Sequence, residues 1–115
     1  MGYMRNHAII ISGYDDSAIG YRNYIGEAHE IALKLFNHNM VSEILSPVAN
    51  SSQSFFIGPD GSKEGWKTSN ENDKLRAEFI ATLQKKKIDC DWVEVQYGDD
   101  RGKTRIISHS DEFYR

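Results

Sequence analysis

Five short segments rich in β-branched and aromatic residues surround two longer segments whose apolar residues recur at helical spacing. We expect the helices to cover residues 25–39 and about 70–86. The expected strands cover residues 7–12, 41–45, 54–57, 91–97 and 104–109. The order β-α-β-β-α-β-β predicts an α+β fold, with a mostly antiparallel β-sheet and two helices packed on one face.

Length and composition favour one small globular domain. The chain has 115 residues, of which 39% are hydrophobic and 27% charged, so we expect a single domain across residues 1–115 with residues 1–5 and 111–115 frayed. A single cysteine, Cys90, excludes an intramolecular disulfide and favours a reducing, cytoplasmic compartment. The net charge of −3 argues against duplex nucleic acid as a partner, and no apolar stretch suggests a membrane partner.

Residues 91–97 alternate between apolar and polar side chains. This places Val93 and Val95 on one face of a strand and Trp92, Glu94 and Gln96 on the other. If the valines face the helices, Trp92 lies on an open sheet face that is exposed to solvent or to a partner.

The segment 58–67 is a glycine-rich loop with two lysines and a tryptophan. Its backbone N–H groups can approach an anion, Lys63 or Lys67 can neutralise a phosphate, and Trp66 can stack on a base. The alternative is a turn that links a strand to a helix, with Trp66 folded over the core. The glycine and lysine spacing is not that of a Walker A loop.

The remaining polar residues do not form a recognisable catalytic set. His7 and His109 lie on the first and last expected strands, as in two-histidine phosphodiesterases, but the paired motifs of those enzymes are incomplete here. Asp99 and Asp100 are interpreted as turn residues, and Cys90 between two acids is a poor nucleophile. We therefore predict no catalytic residue, no metal and no cofactor. The predicted ligand-binding residues are Lys63, Trp66, Lys67, Trp92, Tyr97, Arg101, His7 and His109.

Two long motifs carry a resemblance that covers nearly the whole chain. Residues 54–66, SFFIGPDGSKEGW, and residues 91–100, DWVEVQYGDD, resemble a family of small bacteriophage and bacterial proteins. The segment between Gly20 and Gly26 departs from that pattern as an apparent insertion. The resemblance implies a phage-associated accessory protein that acts in the host cytoplasm. Such proteins often counter host defence by sequestering a nucleotide signal or by blocking a protein effector.

Three functional hypotheses follow, and the first is preferred. The chain is a binding protein that sequesters a small phosphorylated or nucleotide ligand without turnover. Alternatively, it is an inhibitor that contacts a host defence protein through its open sheet face, or a nucleotide hydrolase that uses His7 or His109. We also expect a homo-oligomer, most simply a dimer. Ligand capture requires the loop 58–67 and the final hairpin to meet at one concave surface.

Overall fold

The computed structural model describes residues 3–100 and 102–112, and its strands form one open antiparallel sheet. The strands are β1 (Asn6–Tyr14), β2 (Ser52–Ile57), β3 (Cys90–Tyr97) and β4 (Arg105–His109). The helices are α1 (Tyr24–Leu35) and α2 (Lys67–Lys85), and short 3₁₀ turns cover Ser17–Ile19, His38–Met40 and Ser110–Glu112. The spatial strand order is β2-β1-β3-β4, which confirms the α+β class.

The expected strand at residues 41–45 is wrong, and the element order is β-α-β-α-β-β. Val41 and Leu45 each make an isolated bridge to β2 in place of a continuous ladder. The side chain of Ser42 interrupts the pairing, because its hydroxyl accepts the Phe56 N–H at 2.8 Å, where a ladder would use a backbone carbonyl. This segment therefore follows the outer edge of the sheet without becoming a fifth strand.

One face of the sheet packs against both helices and forms the core. Antiparallel partners directly opposite each other share a face, so the register groups Ile9 with Ile57 and Ile11 with Phe55. The helices complete this core with Ala28 and Ala32 from α1 and with Phe79 and Leu83 from α2.

The expected orientation of β3 is reversed in the structure. Trp92 lies opposite Ile11 and is only 6% exposed, whereas Val93 lies opposite Ile10 on the open face. Alternation shows which residues share a face but not which face points inward. This orientation buries the large apolar surface of the indole and leaves the two valines half-buried on the open face. Glu94, on the same inward face, finds polar partners there.

The loops position the ends of these elements. The side chain of Asn23 caps α1 by accepting the Gly26 N–H at 2.9 Å. None of the helices formed by the described residues is long and apolar enough to cross a bilayer.

Candidate functional site

Charged side chains line a cavity of about 360 Å³ on the helix side of the sheet, near the start of β1 and the end of β3. We call it the polar cavity. Its basic side chains come from β1 and the residue before it, from α2 and from β4, and its carboxylates come from the loop before α2, from α2 and from β3. The lining residues are Arg5, His7, Glu64, Asp73, Arg76, Glu94, Gln96, Arg105 and Ile107.

The backbone register explains why these residues meet. His7 lies opposite Gln96, and both share the inward face with Ile9 and Glu94. Glu64 reaches the cavity because its loop is tied to the N-terminal segment, where its own N–H donates to the Tyr3 carbonyl at 3.0 Å. The cavity therefore joins the loop 58–67 to the final hairpin.

Arg76 is the most buried charged side chain in the cavity, with 3% exposure. It donates to Asp73, one helical turn earlier on α2, and its Nε lies 3.7 Å from Oε2 of Glu94. Nε is buried and has no hydrogen-bond acceptor among the described residues. A buried donor that lacks an acceptor costs about 1–3 kcal/mol, so this guanidinium is incompletely satisfied.

His7 and Glu64 form a short contact on another wall of the cavity. Nε2 of His7 lies 2.6 Å from Oε1 of Glu64, and both side chains are mostly buried. The contact fixes the orientation of the imidazole ring. A histidine held by a carboxylate can act as a general base. However, none of the lining residues in the described part of the chain is a serine, threonine or cysteine that it could activate.

The side chain of Arg5 binds the loop of the final hairpin. Its guanidinium contacts the buried Asp99 carboxylate at 2.7 Å from Nε and 2.5 Å from Nη2. In the amide orientation that satisfies both groups, the Gln96 oxygen also accepts from Arg5 Nε at 3.0 Å. Desolvation lowers the pKa of Arg5, but the hydrogen bond and the charge of Asp99 outweigh it and raise the pKa.

Arg105 is the cation with the most freedom in the cavity. It lies at the start of β4, where its backbone pairs with Gln96, and its exposed side chain makes no hydrogen bond or ion pair with any other described residue. The neighbouring carboxylate of Glu94 accepts a hydrogen bond from the Ser108 hydroxyl at 3.0 Å. Arg105 and Arg76 are therefore the two cations available to a ligand.

The predicted loop residues do not point into the polar cavity. Lys63 bridges to Met4 through the backbone, and Lys67 lies 3.8 Å from Glu71 on the exposed start of α2. Trp66 is half exposed at the N-cap of that helix. The loop thus contributes Glu64 to the cavity and neither its lysines nor its indole.

The other predicted residues are dispersed. Trp92 is in the core, and Tyr97 lies on the open face. His109 lies opposite Val93, with Nδ1 4.0 Å from Asp111. Arg101 falls outside the described residues. Among the predicted set, His7 lines the polar cavity.

Sequence reasoning missed Arg76, although a signal was present. Arg76, Phe79 and Leu83 are all buried and follow helical spacing along α2. A charged residue within a buried stripe must find a polar partner. The spacing shows that Arg76 lies on the buried side of α2, where its partners are the carboxylates Asp73 and Glu94.

The sheet face away from the helices, which we call the open face, is apolar. It presents five large side chains, each between 38% and 61% exposed: Ile10, Leu45, Phe56, Tyr97 and Ile106. A groove of about 320 Å³ crosses this face, and the small side chain of Ala8 lies within it.

A further hollow of about 410 Å³ lies between the turn His38–Met40 and α2. Its one charged lining residue, Asp60, already accepts hydrogen bonds from the N–H and the hydroxyl of Ser62. The polar cavity therefore carries the richer chemistry.

Comparison with known proteins adds no family to this picture, because no family model, curated protein or solved structure matches the chain.

Proposed function

We propose that the chain is a non-enzymatic binding protein that holds a small phosphorylated ligand in the polar cavity. The observation that carries this proposal is the guanidinium of Arg76, which is almost fully buried yet incompletely satisfied at the cavity wall. A ligand phosphate can accept from such a group and relieve the cost of its burial. Arg105, at the rim, supplies a second cation.

A nucleotide is the ligand class that best fits the mixed charge of the cavity. The arginines suit phosphate oxygens, and carboxylates such as Glu64 and Glu94 can accept hydrogen bonds from ribose hydroxyls. The volume of about 360 Å³ falls within the range of small-molecule sites. Inorganic phosphate alone would leave the carboxylates facing an anion, so we expect it to bind more weakly than a nucleotide.

Binding without turnover is preferred over hydrolysis. The contact between His7 and Glu64 can orient a base, but the hydrolase hypothesis also needs a nucleophile and groups that stabilise the leaving oxygen. Together with the resemblance to bacteriophage proteins, this leads us to propose sequestration of a nucleotide defence signal in a host cytoplasm.

Titration calorimetry with cyclic mononucleotides, cyclic dinucleotides, ADP-ribose and inorganic phosphate tests this function. Arg105→Gln removes a cavity cation whose side chain makes no hydrogen bond or ion pair with other described residues, so we expect affinity to fall about tenfold or more without loss of folding. Lys103→Gln is the matched control, because it removes the same charge two residues away, from an exposed position outside the cavity lining.

Two results would contradict the proposal. One is the absence of heat for every ligand in the panel, and the other is an equal loss of affinity in both variants, which would indicate a diffuse charge effect. Chromatography of the recovered ligand tests the turnover question separately. Release of hydrolysis products by the wild-type protein would favour the hydrolase hypothesis.

A protein inhibitor is the second candidate function, and the apolar side chains of the open face favour it. This function requires the open face to be free in the cell. It therefore competes with self-association through the same side chains. If the purified chain remains monomeric at high concentration, the inhibitor hypothesis stands. A dimer formed through the open face would argue against it.

A further inference from the structure

We propose that the open face packs against the same face of a second copy of the chain, so that two sheets stack into a homodimer. Sheets that pack in this way lie about 10 Å apart with interdigitated side chains. The helices and the polar cavity lie on the other side of each sheet.

The apolar area of the open face argues that it is covered. A large side chain presents about 200 Å², so five side chains at roughly half exposure leave about 500 Å² of apolar surface per chain. This value is near the upper end of the patches that monomeric proteins expose. Leaving such a patch in water would favour uncontrolled association.

The same area sets the expected strength of the dimer. Two copies would bury about 1,000 Å² from these side chains, close to the lower end of stable interfaces at about 1,200 Å². We therefore expect a dimer that dissociates on dilution. An obligate dimer usually buries about 2,000 Å² or more.

The charge distribution favours a second copy over an unrelated partner. The residues opposite or beside Ile10 on this face are Phe56, Val93, Ala8 and Ser12, and none of them carries a charge. A twofold interface brings identical groups close together, so an uncharged centre avoids repulsion between like charges. An unrelated partner normally gains specificity from complementary charges, and the centre of this face offers none.

The shape of the face also suits a twofold arrangement. Ala8 leaves a hollow between Phe56 of β2 and Tyr97 of β3. Large side chains stand beside this hollow, so a second copy offers both protrusions and a recess. Because the polar cavities face away from the interface, the dimer would carry two accessible ligand sites. This inference does not depend on what the cavities bind.

Sedimentation velocity over a concentration series up to about 1 mM tests the inference. We expect the wild-type mass to rise from 13.2 kDa toward twice that value as concentration increases. Ile10→Lys places a charge at the centre of both partners. It should weaken dimerisation about a hundredfold, since each copy contributes about tenfold. Ile19→Lys is the matched control, because Ile19 is 71% exposed on a 3₁₀ turn outside the sheet.

Circular dichroism establishes that each variant is folded, and Ile106→Lys on the edge strand β4 replaces Ile10→Lys if the latter unfolds. A dimer that is lost in the open-face variant and kept in the control supports the inference. Three outcomes overturn it: a wild-type chain that stays monomeric throughout, a dimer that survives both open-face substitutions, or equal weakening by Ile19→Lys. If the chain stays monomeric and a host protein binds this face instead, the inference is also overturned.

Discussion

Trp92→Ala tests the orientation of β3, on which both proposed surfaces depend. Trp92 is 6% exposed and packs in the core beside Ile11. Replacing a buried tryptophan by alanine typically costs about 3–5 kcal/mol, from lost burial and the cavity left behind. A domain of this size is stable by about 5–15 kcal/mol, so the substitution should remove about a fifth or more of the free energy of unfolding.

Urea unfolding followed by far-ultraviolet circular dichroism measures this loss without relying on the deleted fluorophore. With a slope of about 1.5 kcal/mol per molar urea, the midpoint should fall by about 2–3 M. Trp66→Ala is the control, since Trp66 is 51% exposed and should cost less than about 1 kcal/mol. Equal midpoints for the two variants would refute the inward orientation of Trp92. They would indicate that Trp92 lies on the accessible face of β3, which the alternation of residues 91–97 also permits.

Two titratable groups provide further predictions. Burial, with a smaller effect from the flanking acids, raises the pKa of the Cys90 thiol to about 12. Iodoacetamide at pH 8 should therefore label Cys90 only after denaturation. Rapid labelling of the folded chain would contradict the buried placement of Cys90. The hydrogen bond from Arg22 lowers the pKa of Glu27 below its ordinary value of 4.5. The pair therefore stabilises the fold above about pH 4.5, and this contribution is lost as the pH falls through the lowered pKa. Carboxyl NMR titration should show the Glu27 pKa rising in Arg22→Gln, and the exposed pair should alter stability by only a few tenths of a kcal/mol.

The sequence predicted those elements whose signal is local. The stripe of Ala28, Ala32 and Leu35 at helical spacing indicated α1. The segment 41–45 has strand-forming residues, but a strand also needs a continuous ladder. A tertiary contact, the hydrogen bond between the Ser42 side chain and β2, interrupts that ladder and is not visible in the local sequence.

The orientation of β3 could not be obtained from periodicity, because a two-residue repeat is symmetric between its two faces. The deciding contact joins distant parts of the chain. Arg76 of α2 faces Glu94, so a carboxylate is tolerated on the inward side of the sheet and Trp92 can occupy the core beside it. Neither residue reveals the other in the sequence.

The candidate site was predictable only in outline. The loop 58–67 and the final hairpin do share the walls of one cavity, but the side chains that enter it differ from those chosen by residue type. Glu64 points inward because the backbone of its loop is anchored at Tyr3, and this anchor leaves Trp66 half exposed. Residue chemistry pointed to two segments that share this cavity, and backbone geometry determines which of their residues line it.

The position of the polar cavity follows from a gradient along the contact between sheet and helices. On the inward face of β3, Cys90 and Trp92 are apolar, whereas Glu94 and Gln96 are polar. The neighbouring strand β1 and the helix α2 change character at the same level. The apolar residues are Ile9 and Ile11 of β1 and Phe79 and Leu83 of α2, and the polar ones are Arg5 just before β1, His7, Asp73 and Arg76.

Stability alone does not account for this gradient. Burying ion pairs is often no more stabilising than packing apolar residues of similar volume, because desolvation offsets the attraction between the charges. Here α2 continues beyond the apolar core and places Arg76 among carboxylates that leave its Nε without an acceptor. A sequence that keeps such a group beside an open cavity departs from the most stable packing, and departures of this kind concentrate where a protein binds its ligand. The incomplete pairing of Arg76 is therefore the strongest reason to seek the ligand at this end of the sheet.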